Sequence, residues 1–502
     1  MQDMDINSAL TNFKQYLERL EHYQNVNTLL FWDSMQKVPP KGAVGRAATK
    51  GVMAEETRLL QTSSELKGYI DALLPYADTL SDFDRALVRV AKRDYDALVN
   101  VRGELYSALE AAKGESIAVW ETAMRSGDYA LQEPYFDRLI DLNKKLALCL
   151  SPKKTPYDAL VDYYEEGMDL GKLDALFGEL KETIIPLVEK IKRKNVEKPE
   201  FLDAHVPKDA QERFNNKLYR AIGVDPSAAM LYETTHPFTF GINLDDIRFS
   251  TRYFENDFTA SLFSVLHEGG HAINTQNIPH ELSRTILGGG ASAAFQESQS
   301  RFYENVIGRS RAFLEYMYDD FMREYKPYIG DRTPNELFRA FNHCEPGFIR
   351  VAADEVTYTL HIIIRYEMER DFINGSVKAA DLPAIWNMKI KRYLGLDVPN
   401  DSVGILQDIQ WPYGRFGAFV SYALGNVYGL MIRDVMEREF CLESAVRSGE
   451  FSRVNEWLRK NVHQYSQLYT PDEQIQMITG KGIDAKPFLR YLTDKMTEVY
   501  SL

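Results

Sequence analysis

The segment Phe263-Ser-Val-Leu-His267-Glu268-Gly-Gly-His271-Ala272 sets two histidines four residues apart, with a glutamate directly after the first. On a helix, residues four apart lie on nearly one face, so both imidazoles can point at a single ion. Glu268 projects about 100° away, toward the side where an attacking water would sit. The residue types suit that task. Neutral imidazoles bind zinc at about 2.0–2.1 Å, and a carboxylate beside such an ion can accept a proton from the water. The chain has nine histidines. A chance match to HExxH is expected in on the order of one in a hundred chains of this kind. The competing reading is two packed or surface histidines. Gly269 and Gly270 oppose it, because adjacent glycines inside a helix cost about 1 kcal/mol each relative to alanine. Close approach of a substrate backbone is the expected reason for their missing side chains.

A catalytic zinc takes a third protein ligand and keeps one position open. Glu297, in Gln296-Glu297-Ser298-Gln299-Ser300-Arg301, lies 26 residues after His271. That is enough chain for a loop and a returning helix. Gly288-Gly289-Gly290 supply the loop, and Ala291–Ile307 reads as helix. Glu281 and Glu304 are rival ligands, and an ion pair of Glu297 with Arg301 is the non-metal alternative.

The elements that must hold these residues are mainly helical. Ile6, Leu10, Phe13, Leu17 and Leu20 form one apolar stripe. Leu173, Phe177, Leu180, Ile184, Leu187 and Ile191 form another, with a kink expected at Pro186. Strand patterning is confined to Thr234–Tyr253, which reads as a hairpin or a short sheet of two or three strands. Residues 1–502 are expected to form a single domain, with a helical part over about 1–200 and a metal-site part over about 201–502. The basic run Lys190–Lys198 reads as a solvated helix end near that change.

Composition narrows the function classes. The formal charge is −14, from 59 Lys and Arg against 73 Asp and Glu, which disfavours a nucleic-acid partner. Cys149, Cys344 and Cys441 are far apart, so neither a disulfide framework nor a cysteine zinc site is expected. The N-terminal Met-Gln-Asp-Met-Asp-Ile-Asn has no basic region followed by an apolar stretch, so no secretory signal is expected. No run of 18 apolar residues points to a membrane helix.

Taken together, the motifs resemble those of the carboxypeptidase Taq type of thermostable metallocarboxypeptidases. HEGGH is followed by ESQSR at Glu297–Arg301. His236-Pro237-Phe238 matches the family's HPF, and Asp246-Ile-Arg248-Phe-Ser250 resembles DxRxT with Ser for Thr. Ile349-Arg350-Val-Ala-Ala353-Asp354 matches IRxxAD. Gly404-Ile-Leu-Gln407-Asp408-Ile-Gln410-Trp411 resembles GxxQDxHW. Trp32-Asp33, Arg46-Ala47 and the stretch from Tyr157-Asp158 to Glu166-Gly167-Met168 are similar too, so the resemblance spans nearly the whole chain. Two positions depart from it: Gln296 and Gln410 stand where the family usually has His.

The resemblance implies an all-α, saddle-shaped body with a deep groove and a small sheet beside the metal, neurolysin-like in architecture. It implies a cytoplasmic homodimer that removes C-terminal residues from peptides with broad specificity, using zinc, replaceable by cobalt. His267, His271 and Glu297 would be the metal ligands and Glu268 the base. Tyr422 and His236 are candidate donors to the oxyanion. A carboxypeptidase must also recognise a free carboxylate, which arginine does through two parallel N–H bonds. Arg350 is the first choice for that clamp and Arg248 the second. Internal ion pairs, Arg350 with Asp354 and Arg248 with Asp246, are the competing readings. Gln407, Asp408 and Gln410 are expected to line the subsite of the leaving residue or to brace the ligands. A metallo-oligopeptidase cutting internally, and an inactive helical binding protein that kept the fold, are the alternatives.

Overall fold

Apolar residues recur at three- and four-residue steps along most of the chain, and helices follow them. The computed structural model describes residues 6–35, 38–101, 103–151 and 154–502. The first residues read for a leader, Met1–Asp5, lie outside the described residues. Phe13, Leu17 and Leu20 of the first stripe are buried in the helix Ile6–Met35, with Ile6 and Leu10 half-buried. The second stripe is buried throughout in the helix Leu170–Lys194, which continues through Pro186. That helix ends at Asn195 in the left-handed conformation, with Lys192, Arg193 and Lys194 in its last turn. The basic run is therefore a helix end, where cations complement the exposed carbonyls. Among the described residues, no helix is long and apolar enough to cross a membrane.

The apolar core has two parts. The larger runs from Leu109 to Tyr500 and encloses the metal-site helices. The smaller joins the helices Ile6–Met35, Ser64–Leu73 and Asp82–Val99. It also takes in Leu244, Ile278, Leu282 and Leu287. The last three sit between the two ligand-bearing segments, so the N-terminal helices brace that connection.

The sheet has three strands, β1 (Ala229–Glu233), β2 (Thr239–Asn243) and β3 (Asp246–Thr251), in the order β1-β3-β2. β2 and β3 form the expected antiparallel hairpin, with Phe240 opposite Arg248. β1 pairs parallel to β3, with Leu231 opposite Phe249. It begins upstream of the Thr234 boundary because Ala229-Met-Leu-Tyr carries little alternation to mark it. Trp32 from the first helix packs edge-on against Tyr232 and Phe238, which ties the N-terminal part to the sheet.

Three helices position the site. The HExxH motif lies in Phe258–Gln276, capped by Asp257. Glu297 lies in the nine-residue helix Ala293–Arg301, capped by Ser292. Tyr422 lies in Val420–Met436. Their backbones come very close. A Cβ on Gly270 would sit 2.7 Å from the Gln299 carbonyl oxygen and 2.8 Å from Ser300 Cα. A Cβ on Gly425 would sit 2.6 Å from Glu297 Cβ, and one on Gly429 would lie 3.1 Å from the Ser298 carbonyl oxygen. The Glu297 helix is thus held between glycines on both sides. The glycine at 270 serves this contact, so the expected substrate backbone gives way to the chain's own. A side chain there would force the two ligand helices apart.

Gly425→Ala tests the contact. Overpacking of this kind costs about 1–3 kcal/mol, so the melting temperature should fall by a few degrees and metal affinity should weaken. Gly178→Ala, in a helix with open space around the new methyl, should hold or raise it. Equal responses from the two variants would count against close packing as the reason for Gly425.

Candidate metal centre

The HExxH helix presents His267 and His271 to the facing helix, and their rings lie 5.1 Å apart. His267 Nε2 is 3.7 Å from Glu297 Oε2, and His271 Nε2 is 3.9 Å from Glu297 Oε1. The three ligand atoms all lie within 4.8 Å of one another. Tetrahedral zinc with bonds of about 2.0–2.1 Å sets its ligands roughly 3.3 Å apart; two imidazoles and one carboxylate spaced somewhat wider than this form a donor set able to hold a metal ion. The three side chains are largely screened from solvent.

Of the rivals for the third ligand, Glu281 is exposed on the short helix His280–Ser283, away from this cluster. Glu304 takes a different task. Its Oε2 is 2.9 Å from His267 Nδ1, so it accepts the ring's second N–H and turns Nε2 toward Glu297. The expected Ala291–Ile307 helix is in fact α-helical only to Arg301 and π-helical from Phe302 to Ile307. The wider turn carries Glu304. Arg301 donates to Glu304 at 2.9 Å, and Arg309 lies 3.7 Å from its other oxygen.

Environment separates the acids. Burial pushes the Glu304 carboxyl up, but Arg301, His267 and Arg309 outweigh it and hold it well below the usual carboxylate range. Glu297 also stays low, because His267, His271 and Arg301 outweigh its burial. Glu268 is different. Burial pushes it up to about 7, against the pull of His267 and of a hydrogen bond from Thr239. The Thr239 hydroxyl on β2 donates to Glu268 Oε2 at 2.7 Å. Burial pulls His271 down to about 4 despite Glu297, so this ring is neutral, the form that binds a metal.

Tyr422 lies one turn before Gly425 and therefore on the face that meets Glu297. Its hydroxyl accepts from Gln410 Nε2 at 3.2 Å, which leaves its own proton free to donate. Burial raises its pKa to about 12, and nearby Glu297 adds to the shift. His236 is exposed in the connection between β1 and β2.

Arg350 is buried, and its partner is Asp408 rather than Asp354. Nε and Nη2 reach the Asp408 oxygens at 2.5 and 3.3 Å, and Nη1 donates to Tyr358 at 3.2 Å. Asp354 instead caps the helix Glu355–Ile373, accepting from Val356 and Thr357 amides at 2.9 and 3.0 Å. Arg248 does pair with Asp246, through two bonds of 2.9 Å, and lies over Trp32. Gln407 is fully engaged within the protein. It accepts from the Arg350 amide and Arg365, and donates to the Phe348, Val403 and Gly404 carbonyls.

Sequence reasoning missed the support behind the ligands. His463 is buried, with Nε2 2.8 Å from Gln299 Oε1 and Nδ1 3.0 Å from Asn277 Nδ2. Asn277 is the C-cap of the HExxH helix, and Gln299 lies two residues after Glu297. One neutral imidazole thus bridges both ligand helices. No local pattern marks His463. Gly425 and Gly429 did carry a signal, an i,i+4 glycine pair in an apolar run.

The family model described as carboxypeptidase Taq (M32) metallopeptidase matches residues 12–496. A curated relative from Bacillus subtilis (strain 168), carboxypeptidase 1, is 36% identical over 502 residues, covering 99% of this chain and 100% of the relative. Thermostable carboxypeptidase 1 of Thermus thermophilus is 34% identical, covering 98% and 99%. The crystal structure of the M32 carboxypeptidase from Deinococcus radiodurans R1 superposes with a TM-score of 0.94 at 31% identity, covering 99% and 100%.

The His463 bridge predicts a pH dependence. Burial lowers its pKa to about 3, against about 6.5 in the unfolded chain. A depressed histidine contributes stability that is full above about pH 6.5 and lost as pH falls toward 3. His463→Gln keeps a donor and an acceptor but cannot titrate. Thermal melts of the metal-free proteins from pH 7 to 4 should fall less steeply for this variant than for the parent. Parallel curves would sink the assignment.

Proposed function

Because the chain belongs to the carboxypeptidase Taq (M32) metallopeptidase family and is a peptide hydrolase of the carboxypeptidase kind, we propose that it is a zinc enzyme releasing C-terminal residues from peptides with broad specificity. His267, His271 and Glu297 hold the ion, and cobalt can replace it. Zinc there would polarise the scissile carbonyl and lower the pKa of water to about 7. The observation that carries the reading is the convergence of those three ligands beside Glu268, whose carboxylate is aimed by Thr239.

Glu268 takes a proton from the attacking water as its oxygen bonds to the carbonyl carbon. It returns that proton to the leaving nitrogen as the C–N bond breaks. Tyr422 donates its free proton to the oxygen on which negative charge develops, with His236 on the neighbouring connection as a second donor. Arg350 is the carboxylate clamp. A guanidinium has five N–H bonds, and three are engaged, which leaves two for the peptide terminus. Arg248 takes a supporting part from β3. Gln410 has a buried Oε1 without a partner among the described residues, and it accepts a substrate N–H. Gln407, with its amide engaged internally, shapes the loop under Arg350.

We also propose that residues 1–502 act as one domain, supported by the apolar residues that the smaller core draws from the metal half. A cytoplasmic homodimer rests on the family resemblance, and sedimentation of the purified protein measures the dimer.

The test is a mass-spectrometric digest with zinc-loaded protein, one peptide and its C-terminally amidated twin, with Glu268→Gln beside it. The expected result is a ladder from the free C-terminus only, slowed about 10²–10⁴-fold in the variant. Internal cuts in both peptides would instead establish an oligopeptidase. Metal-loaded protein that cuts neither peptide would point to Gln296 and Gln410 as the cause and favour the non-enzymatic alternative.

A further inference from the structure

Glu165 is 1% exposed, carries a carboxylate, and plays no part in the reaction described above. No Lys, Arg or His among the described residues forms an ion pair with it. Burial raises its pKa, and hydrogen bonds from Ser292, Ser421 and Ala294 offset part of the rise. Its place explains its retention. One oxygen, Oε1, accepts from the Ala294 amide at 2.8 Å and from the Ser421 hydroxyl at 2.6 Å. Ala294 is in the first turn of the helix that carries Glu297. Ser421 immediately precedes Tyr422. A single carboxylate oxygen therefore joins the helix of the third metal ligand to the helix of the phenol.

The packing leaves a task for such a joint. Gly270, Gly425 and Gly429 let the backbones approach, but they offer no side chains to stop the short helix from sliding or turning between them. Hydrogen bonds at its end supply the stop. The carboxylate also faces the positive end of the helix, which favours an anion there. The turn bearing Glu165 is itself anchored. Arg89 pairs with Glu166 at 2.5 Å and donates to the Gln467 carbonyl, and Arg93 donates to the Asp162 and Tyr163 carbonyls.

We infer that Glu165 is a positioning residue that fixes the Glu297 helix against the Tyr422 helix, and so sets the relation between the third ligand and the oxyanion donor. The inference rests on the proposed roles of Glu297 and Tyr422. It assigns Glu165 no contact with substrate or metal.

Four variants test it: Glu165→Leu, Glu165→Gln, Ser421→Ala and Tyr422→Phe. Each is read by kcat, KM, zinc affinity in competition with a chelator, and the visible spectrum of the cobalt form. Glu165→Leu keeps the volume but removes the acceptor. It should lower kcat about 10–100-fold, weaken zinc binding by about tenfold and shift the cobalt bands, with KM changed less than threefold. Glu165→Gln retains an acceptor oxygen and should stay within about threefold of the parent in kcat and zinc affinity. Ser421→Ala, which loses only one bond at the joint, should lower kcat severalfold with zinc affinity intact. That variant keeps the test open if Glu165→Leu does not fold. Folded Glu165→Leu with parental kcat, zinc affinity and cobalt spectrum would overturn the inference. So would Glu165→Gln as impaired as Glu165→Leu, or Ser421→Ala with parental kcat where Glu165→Leu does not fold. Failure of the underlying reading looks different: Tyr422→Phe and Glu268→Gln would both retain full activity.

Discussion

Everything in the centre depends on how closely the Glu297 helix can approach its two neighbours. The proposed metal ligands come from two separate helices, and an ion of fixed bond length tolerates little error between them. Side chains at that contact would hold the helices apart by the width of a methyl group or more. Glycines at 270, 425 and 429 remove that spacing on both sides. The distances of 3.7 and 3.9 Å between the imidazoles and Glu297 follow from this approach. Close backbones leave lateral freedom, and the hydrogen bonds of Glu165 and of His463 with Gln299 remove it. The polar bridges and the glycines are thus two halves of one solution.

With the backbones fixed, charge placement assigns the chemistry. Glu268, Glu297 and Glu304 are chemically identical and lie within one small volume. Glu297 and Glu304 face cations or imidazoles, so both remain carboxylates. Glu268 faces a threonine hydroxyl in a buried setting, and its proton affinity rises into the range useful to a base and acid near neutral pH. A second charged cluster stands nearby. Asp408 binds Arg350 and Arg365, while Gln407 links both arginines to the loop. Two buried guanidiniums against one carboxylate leave a net positive charge, the sign a peptide's terminal carboxylate requires.

Much of this is legible in the amino-acid sequence. The HExxH spacing marks two proposed ligands and the proposed base because four residues is a helical repeat, and a repeat is a local property. The proposed third ligand is not marked locally. Glu297 and Glu304 are both acids on one predicted helix, and their division of labour depends on a π-turn that periodicity does not reveal. The β2–β3 hairpin showed through its alternation, whereas β1 did not, because its pairing is parallel and long-range. The glycine pair of the motif makes room, but for the chain itself rather than for a substrate: Gly270 for Gln299 and Ser300, and Gly269 for Ile222. His463, Glu165 and the pairing of Arg350 with Asp408 lie far from their partners in sequence. Nothing local distinguishes them from ordinary buried polar residues.

The two glutamines that depart from the family pattern can now be separated. In the structure they engage different partners. Gln296 donates to the Gly289 carbonyl, so it ties the Glu297 helix back to the glycine loop that precedes it. Gln410 donates to Tyr422 and keeps its own Oε1 unpartnered. An amide N–H pointing at a phenol oxygen forces the phenol proton elsewhere, and it does so at every pH because the amide does not titrate. A histidine in that place would do the same only while the facing nitrogen carried a proton, and it would add a charge when doubly protonated. Gln410 therefore keeps the orienting half of a histidine's work and gives up the titrating half. Gln296 is a structural tie, and Gln410 is the departure that touches the proposed oxyanion donor.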